Sequence, residues 1–292
     1  QRAALRRVCR AWCALLDGAP ARLWRDAPPA RRARVFAACC ARAQFDSARW
    51  MAGRFAITAG HVSGLGALGA ACAAGQLAVA QWLAGAFGLG PADARAGGNL
   101  ALRLACQGGH LATAQWLAAA FGLGPADARA HGNEALRGAC ENGHLAVAQW
   151  LAAAFGLGPG DALAGVDVAG HCLWHACVHD RLDIAVWLAD HYGHTAEDAR
   201  AGGVVEVLRR VCVCGHLEVA AWLAGRFGLG PADAHGAGAL AVACEHGHLE
   251  LAQWLAGRFG LAPADAGEAL ALAREARHPH VVSWLAGAGA PG

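Results

Sequence analysis

One phrase recurs along this chain and constrains its fold more than any other feature. In its central copy, residues 139–157, the phrase reads ACENGHLAVAQWLAAAFGL. Repetition at about 34 residues is typical of arrays of stacked units, in which each unit buries its apolar face against its neighbours. We therefore expect one continuous array instead of two ordinary domains. Near-identical copies lie at 71–89, 105–123 and 243–261, and looser ones at 176–193 and 211–229.

Each copy predicts two helices joined by a tight turn. The first helix is expected to end near the Cys, a Gly-His pair turns the chain, and the second helix runs from Leu145 to Phe155. Apolar residues recur on this second helix at three- and four-residue steps, which indicates one buried face. We expect Trp150 to wedge against neighbouring copies, and a fully buried Trp150 would cost about 3–5 kcal/mol when changed to Ala. The apolar stripe consists of Leu145, Ala148, Leu151, Ala152 and Phe155.

A Cys followed ten residues later by a Trp fixes the register of the copies. Equivalent helices of stacked units lie about 8–10 Å apart, whereas a disulfide requires Cα atoms about 4.4–6.8 Å apart. The thiols are therefore expected to form a buried ladder that is too wide to bridge, in a reducing cytoplasmic or nuclear compartment. The pairs are Cys40 and Trp50, Cys72 and Trp82, Cys106 and Trp116, Cys140 and Trp150, Cys177 and Trp187, Cys212 and Trp222, and Cys244 and Trp254.

The repeated Ala-Cys-x-x-Gly-His-Leu-x-Val-Ala-x-Trp-Leu resembles the centre of an ankyrin repeat, which normally reads Ala-Ala-x-x-Gly-His-Leu-Glu-Val-Val-x-x-Leu-Leu. The resemblance covers residues 33–292 and implies an all-α, ankyrin-like α-solenoid of about seven to eight stacked helix-turn-helix repeats. In the truncated last copy, Arg274 replaces the Cys. The expected repeats lie near 33–66, 67–99, 100–133, 134–168, 169–203, 204–238 and 239–270, with a partial one at 271–292.

Two stretches depart from the ankyrin pattern. The usual Thr-Pro-Leu-His opening of the first helix is replaced by stretches that begin at Asn99 and Asn133, and both residues are predicted helix caps. The connection between repeats reads Phe-Gly-Leu-Gly-Pro-Ala-Asp-Ala-Arg-Ala, in which Pro suits the first position of a helix. In the variant fifth repeat, Thr195 and Asp198 form a capping-box pattern. A helical turn is therefore predicted where a standard ankyrin repeat has a β-hairpin finger.

Residues 1–28 precede the array and predict a helix, a turn and a short second helix. The Val-Cys-Arg-Ala-Trp run at 8–12, followed by Leu-Trp at 23–24, resembles the latter half of an F-box. That resemblance implies docking to a Skp1-like adaptor, which would make the array the substrate receptor of a Skp1-cullin-F-box ubiquitin ligase. The alternative is a basic helical cap that shields the first repeat from water. The implied docking residues are Leu5, Val8, Trp12 and Trp24.

Charge is distributed unevenly along the chain. Residues 1–54 contain 12 Arg and 3 acidic residues, whereas residues 55–292 contain 12 Arg and 19 acidic residues. Such a basic segment can attract nucleic acid, but a solvated helical face is the favoured interpretation. The uncharged run at 55–92 is interrupted by Gly, Pro, Gln and His and repeats elsewhere, so no membrane segment is expected. We expect a monomer.

Recurring histidines and scarce nucleophiles argue against catalysis. The chain has three Ser, three Thr and one Tyr, and neither an HExxH motif nor a paired-carboxylate motif occurs, so we expect no catalytic residue and no cofactor. Four histidines occupy the same turn position, too far apart to share an ion, because a zinc–imidazole bond is only about 2 Å long. We predict that they form hydrogen bonds in the turns. They are His110, His144, His216 and His248.

The fifth repeat carries an additional cluster of potential metal ligands. His171, His175 and His179 recur every four residues, so adjacent pairs could supply two zinc ligands and Cys172 a third. The full stripe would span about 12 Å of helix, too long for one ion. The favoured interpretation is sequence drift around Trp174, which we expect to be an exposed recognition residue, and no metal site is predicted.

First-helix positions vary among copies while the second-helix core is nearly constant. Constancy indicates packing and variation indicates surface. In an ankyrin-like stack the varying positions would line the concave face, which the resemblance implies is the surface that binds a protein target without catalysis. The alternative to a ligase receptor is a plain binding module with no ubiquitin link. The candidate residues are Arg103, Gln107, Arg137, Glu141, Trp174, His179, Arg209, Val213, Glu245 and His246.

Overall fold

A computed structural model describes residues 28–54, 57–62, 66–162, 172–201, 203–260 and 263–288. These residues form helices and turns, and none of them lies in a β-strand. The chain divides into two compact units, Gln1–Leu157 and Gly158–Gly292. The four F-box-like positions lie outside the described residues, as does His171. Those four are Leu5, Val8, Trp12 and Trp24.

The first unit contains helices that pair along the sequence. Its helices are α1 (Pro29–Ala41), α2 (Phe45–Arg54), α3 (Ala59–Val62), α4 (Ala67–Ala73), α5 (Leu77–Phe87), α6 (Pro91–Ala94), α7 (Ala96–Gln107), α8 (Leu111–Phe121), α9 (Pro125–Ala128), α10 (Ala130–Glu141) and α11 (Leu145–Phe155). The first helices of the pairs, α1, α4, α7 and α10, pack against one another in that order. The second helices α5, α8 and α11 also pack in order.

The second unit repeats this arrangement. Its helices are α12 (Pro159–Ala162), α13 (Cys172–Val178), α14 (Leu182–His191), α15 (Ala196–Ala201), α16 (Val204–Cys214), α17 (Leu217–Arg226), α18 (Pro231–Gly236), α19 (Ala239–Glu245), α20 (Leu249–Phe259), α21 (Pro263–Glu275) and α22 (Pro279–Ala288). The first helices α13, α16, α19 and α21 pack in series. The predicted all-α class is confirmed, and each unit consists of the stacked helix pairs of an ankyrin-like solenoid.

The central second helix begins and ends as predicted, at Leu145 and Phe155. Four of the five stripe residues are buried, whereas Leu145 is half-buried. Trp150 is also half-buried, and its ring packs edge-on against Phe155, at 5.4 Å between centroids. The expectation of a fully buried Trp150 is therefore wrong, and so is the full penalty attached to it. Leu151, which belongs to the predicted stripe, is completely buried. The predicted stripe is therefore the buried face of this helix.

The predicted cysteine ladder is buried and unbridged. Its seven thiols are free and shielded from solvent, whereas Cys214 is exposed. Burial raises the pKa of the Cys72, Cys106 and Cys212 thiols to about 12. Since the thiolate is the reactive form, these side chains act as small apolar residues at neutral pH.

The connections between repeats are helical turns, as predicted. In α6, α9 and α18 the Pro occupies the first helical turn, and an Asp accepts a hydrogen bond from the backbone N–H of the preceding Gly. The Gly90 N to Asp93 Oδ2 distance is 2.9 Å. The predicted capping box is also present, with Thr195 N donating to Asp198 Oδ2 at 2.8 Å and Asp198 N donating to Thr195 Oγ1 at 3.2 Å. The residues of each connection therefore determine that a short capped helix joins one repeat to the next.

Side chains of the connections also form hydrogen bonds with a neighbouring repeat. Arg95 contacts the Asp127 carboxylate through Nε at 2.9 Å and Nη2 at 3.1 Å, and Nη2 also donates to the Gly122 carbonyl at 3.0 Å. Burial tends to raise the pKa of Asp127, but hydrogen bonds from Arg95 and from the Gly124 N–H hold it below its ordinary value. Asp127 therefore caps its own short helix and also joins that helix to Arg95 of the preceding repeat.

The turn histidines bond to the preceding repeat as well. Assigned as the donor, Nε2 of His110 lies 3.1 Å from the Ala73 carbonyl, and the corresponding distance from His248 to the Val213 carbonyl is 2.9 Å. The His110 ring lies directly over Gly75, which has a φ of +66°. A glycine is thus required there both for its left-handed backbone and for the close approach of the imidazole.

The predicted cap at Asn99 is wrong. Asn99 has a φ of +59° and follows Gly97 and Gly98, which are also left-handed, whereas an N-cap residue normally has an extended backbone. Its side chain instead forms a hydrogen bond with the Asp127 carboxylate of the next repeat. Asn133 has the same left-handed backbone, with a φ of +60°. Three successive left-handed residues therefore kink α7 near its start, and α10 has the same kink.

Replacing Gly75 with Ala should test the imidazole contact. A Cβ at this position would overlap the His110 ring, whose Cγ would lie 2.7 Å away. We expect Gly75→Ala to cost about 1 kcal/mol for the positive φ and about 1–3 kcal/mol more for overpacking, measured by urea unfolding.

Gly88 provides the matched control, because its φ is +59° and no atom lies within 4 Å of a Cβ placed there. Gly88→Ala should show only the backbone cost, and His110→Ala should remove the excess from Gly75→Ala. Equal destabilisation by the two glycine substitutions would contradict the contact.

We expect His194 to make the second unit sensitive to acid. It occupies the position of the buried Leu123, Leu157 and Leu229, and is itself only 5% exposed. Burial lowers the pKa of His194, an effect that Arg226 reinforces and Asp198 opposes. The unfolded chain therefore binds this proton more readily than the folded chain, and stability falls as the pH drops below about 6.5.

We expect His194→Leu to flatten the decline in melting temperature between pH 7 and pH 5. The exposed His235 is the control, and His235→Leu should leave that decline unchanged. The same decline in His194→Leu as in the unmodified chain would mean that other groups cause it.

Candidate functional site

Four of the predicted binding residues come together in the first unit. Arg103 and Gln107 lie one turn apart on α7, and Arg137 and Glu141 lie one turn apart on the adjacent α10. They line a shallow depression with a volume of about 60 Å³, on the solvent-facing side of the first helices, here called the first-helix face. Its remaining lining residues are Leu104, Glu134 and Gly138.

Gly138 creates the floor of this depression. A Cβ on Gly138 would lie 3.4 Å from Cβ of Gln107, so the two helices approach closely at this point. The corresponding positions in the neighbouring repeats carry Leu104 and His175, which are much larger. The missing side chain at 138 therefore leaves room between α7 and α10.

Arg103 is held in place before any partner arrives. Its side chain is 14% exposed, and Nε lies 3.1 Å from Oε2 of Glu134 in an ion pair. Its Nη1 donates to the carbonyls of Gly97 and Gly98 at 3.2 and 3.1 Å. These carbonyls belong to the left-handed kink inside α7, near its start, so that kink positions a guanidinium at the depression.

The depression suits a side chain of a partner better than a small ligand. Pockets for small molecules typically enclose about 300–1,000 Å³, several times more than this one. Two arginines, two glutamates and a glutamine supply both donors and acceptors with no net charge. Its chemistry is therefore that of polar recognition.

The predicted binding residues of the second unit differ in exposure. His179, Arg209, Glu245 and His246 are exposed on the first helices or at their ends, whereas Val213 is half-buried. Nδ1 of His246 lies within hydrogen-bonding distance of the Val242 carbonyl, at 3.0 Å. These residues are available to a partner, but they do not line the depression of the first unit.

The expected exposure of Trp174 is wrong. Trp174 is 1% exposed, and its ring packs edge-on against Phe227 at 6.0 Å between centroids. The register of the repeats aligns Trp174 with Arg103, which is itself largely buried at the start of its helix. A large aromatic ring at this position is buried against the following second helix, so Trp174 stabilises the unit.

The residues considered as zinc ligands also differ in access. Cys172 is 1% exposed, on the same buried stretch as Leu173, whereas His175 is half-buried and His179 is exposed. The fourth residue of that pattern, His171, lies outside the described residues. The rings of His175 and His179 are parallel within 5°.

Sequence reasoning missed three lining residues, Leu104, Glu134 and Gly138. A signal for two of them was present, because Glu134, Arg137, Gly138 and Glu141 follow the i, i+3, i+4, i+7 spacing of one helix face. Comparing copies position by position emphasised residues that vary strongly and ignored the helical neighbours between them.

Comparison with known proteins covers part of the chain. Among the described residues, every helix falls short of the length and apolar character needed to cross a bilayer. No sequence among the curated proteins matches the chain. Residues 68–161 match the family model for ankyrin repeats (3 copies), and this segment includes most of α4 and all of α5 to α11. Ankyrin repeats are protein-interaction modules. Residues 68–161, which contain the depression, are therefore similar to ankyrin repeats.

Proposed function

We propose that this chain is a non-catalytic scaffold whose first-helix face binds a protein target. One observation carries the proposal. Four positions that differ among the copies, Arg103, Gln107, Arg137 and Glu141, converge on a single depression within the ankyrin segment. Packing does not require this convergence, because the side chains lie at the solvent-facing side of α7 and α10.

The properties of the depression support a protein partner. Arginine is enriched among the residues that dominate protein–protein binding energies, and Arg103 loses little conformational freedom on binding because Glu134, Gly97 and Gly98 already hold it. The volume of about 60 Å³ fits one polar side chain of the target. The residues of the second unit extend the proposed surface. They are His179, Arg209, Val213, Glu245 and His246.

We also propose that residues 1–28 dock a Skp1-like adaptor, so that the chain acts as substrate receptor in a Skp1-cullin-F-box ubiquitin ligase. The support is the Val-Cys-Arg-Ala-Trp run at 8–12 and the Leu-Trp pair at 23–24. The alternative is an ankyrin binding module with no ubiquitin link. Both readings assign the same role to the first-helix face and differ only in what the leading segment binds.

A reducing compartment, cytoplasm or nucleus, fits the cysteine ladder. Its seven thiols repeat with the helix pairs and are buried without bridging. Proteins exposed to an oxidising compartment commonly use cysteines in disulfides. We therefore propose an intracellular scaffold.

Gln107 and Gln115 allow a matched test of the binding face. Both are exposed and lie in the same repeat, but Gln107 lines the depression on α7 whereas Gln115 lies on α8. Partners captured by cross-linking to the unmodified chain are purified, and their affinities for Gln107→Arg and Gln115→Arg are measured.

We expect Gln107→Arg to weaken binding at least about tenfold, because the longer charged side chain fills the depression. Gln115→Arg should bind as the unmodified chain does. Unchanged binding by Gln107→Arg, or an equal loss in both variants, would place the partner elsewhere.

Trp12→Ala tests the adaptor proposal separately. The full chain should co-purify with Skp1, and Trp12→Ala should abolish that association while the target still binds the first-helix face. If the unmodified chain does not retain Skp1, the chain is a plain binding module and the ligase proposal fails.

A further inference from the structure

Two histidines lie one helical turn apart at the end of α13. The His179 N–H donates to the His175 carbonyl at 3.0 Å, which closes the last turn and places the two side chains on the same side of the helix. Their ring centroids are 6.2 Å apart and the ring planes are parallel within 5°. A ligating nitrogen of one ring lies within 4.8 Å of a ligating nitrogen of the other.

We propose that His175 and His179 chelate a single divalent transition-metal ion of the late first row, the class that imidazole prefers. Metal–imidazole bonds are about 2.0–2.1 Å long, so two nitrogens on one ion lie at most about 4.2 Å apart. The two ligating nitrogens already lie within 4.8 Å of each other. Small rotations of the two rings would bring them to the separation of about 4.2 Å that one ion requires. Two histidines at i and i+4 on one helix face form a recurrent element of metal sites. This inference does not rest on the proposed binding of a protein target.

The position of the pair makes it accessible to an ion. His179 is exposed and His175 is half-buried. Water molecules can complete the coordination of an ion bound by two protein ligands. Cys172 is nearly inaccessible and is not needed as a third ligand. The site is therefore a surface chelate, smaller than the three-residue set that the sequence suggested.

The two imidazoles do not replace histidines of the repeat pattern. The turn ladder uses a different position, represented by His216 and His248, whose Nε2 atoms bond to backbone carbonyls of the preceding repeat. At the positions of His175 and His179, the other full copies carry other pairs. Those pairs are Ala70 with Ala74, Leu104 with Gly108, Gly138 with Asn142, Arg210 with Cys214, and Val242 with His246.

A second stacked pair in the same unit provides a control. The His246 and His248 rings are parallel within 8°, with centroids 6.4 Å apart. However, Nδ1 of His246 and Nε2 of His248 are engaged with the Val242 and Val213 carbonyls, at 3.0 and 2.9 Å. This pair lies at the end of a different first helix, so removing His246 should not affect the proposed site.

The test uses the full chain with Cys214→Ser, which removes an exposed thiol that also binds metals. Titration calorimetry with Ni²⁺ at pH 7.5 should show one ion bound at the tightest site. We expect His179→Gln to weaken that site at least about tenfold, since altering even the supporting residues of metal sites costs about 10–100-fold in affinity. His246→Gln should leave the affinity unchanged.

Melting curves provide a second measurement. Ni²⁺ should raise the melting temperature of the unmodified chain and of His246→Gln, but not of His179→Gln. Because His179 is exposed, its replacement should leave folding intact, and the melting curve without metal verifies this. Unchanged Ni²⁺ affinity in His179→Gln, an equal loss in His246→Gln, or only weak binding spread over many histidines would overturn the proposal.

Discussion

The packing of each helix pair against the next is the interaction on which the rest of this structure depends. A pair such as α7 and α8 has an apolar side that it cannot cover alone, and burial of that side requires a neighbour. Leu102, Ala105 and Cys106 are completely buried between successive first helices. The Cys ladder belongs to this contact, since a small, protonated thiol fills space between helices without requiring a polar partner.

Polar contacts then fix the register that the apolar packing leaves open. Three kinds join successive repeats: Arg95 with Asp127, Asn99 with Asp127, and His110 with the Ala73 carbonyl. Each joins residues of neighbouring repeats. Left-handed glycines accompany two of them, with Gly75 beneath the His110 ring and Gly98 directly before Asn99. The same left-handed kink presents the carbonyls that hold Arg103. The scaffold and the candidate binding face are therefore built from one set of backbone constraints.

Most of the fold follows from the sequence because its determinants are local. The apolar stripe, the Pro-x-Asp caps and the Gly-His turns each act within a few residues. Because these patterns recur in several copies, an ambiguous residue in one copy does not obscure the prediction. Three features were not predicted from the pattern of one copy, and two of them depend on contacts between repeats. Trp174 is buried by Phe227 of the next repeat, Trp150 remains half-exposed beside Phe155, and Asn99 bonds to Asp127 instead of capping its own helix. Four of the residues that line the depression were predicted. Gly138 was not, because it shapes the depression by having no side chain, and variation among the copies does not reveal that.

The central claim is that neighbouring repeats pack with an imidazole of one over a turn glycine of the other. Nuclear Overhauser effects in solution test it most directly. The account predicts strong cross-peaks from the His110 ring protons to the Hα protons of Gly75, and from the His144 ring to Gly109. Their absence, with the rings contacting only their own turns, would contradict the stacked arrangement.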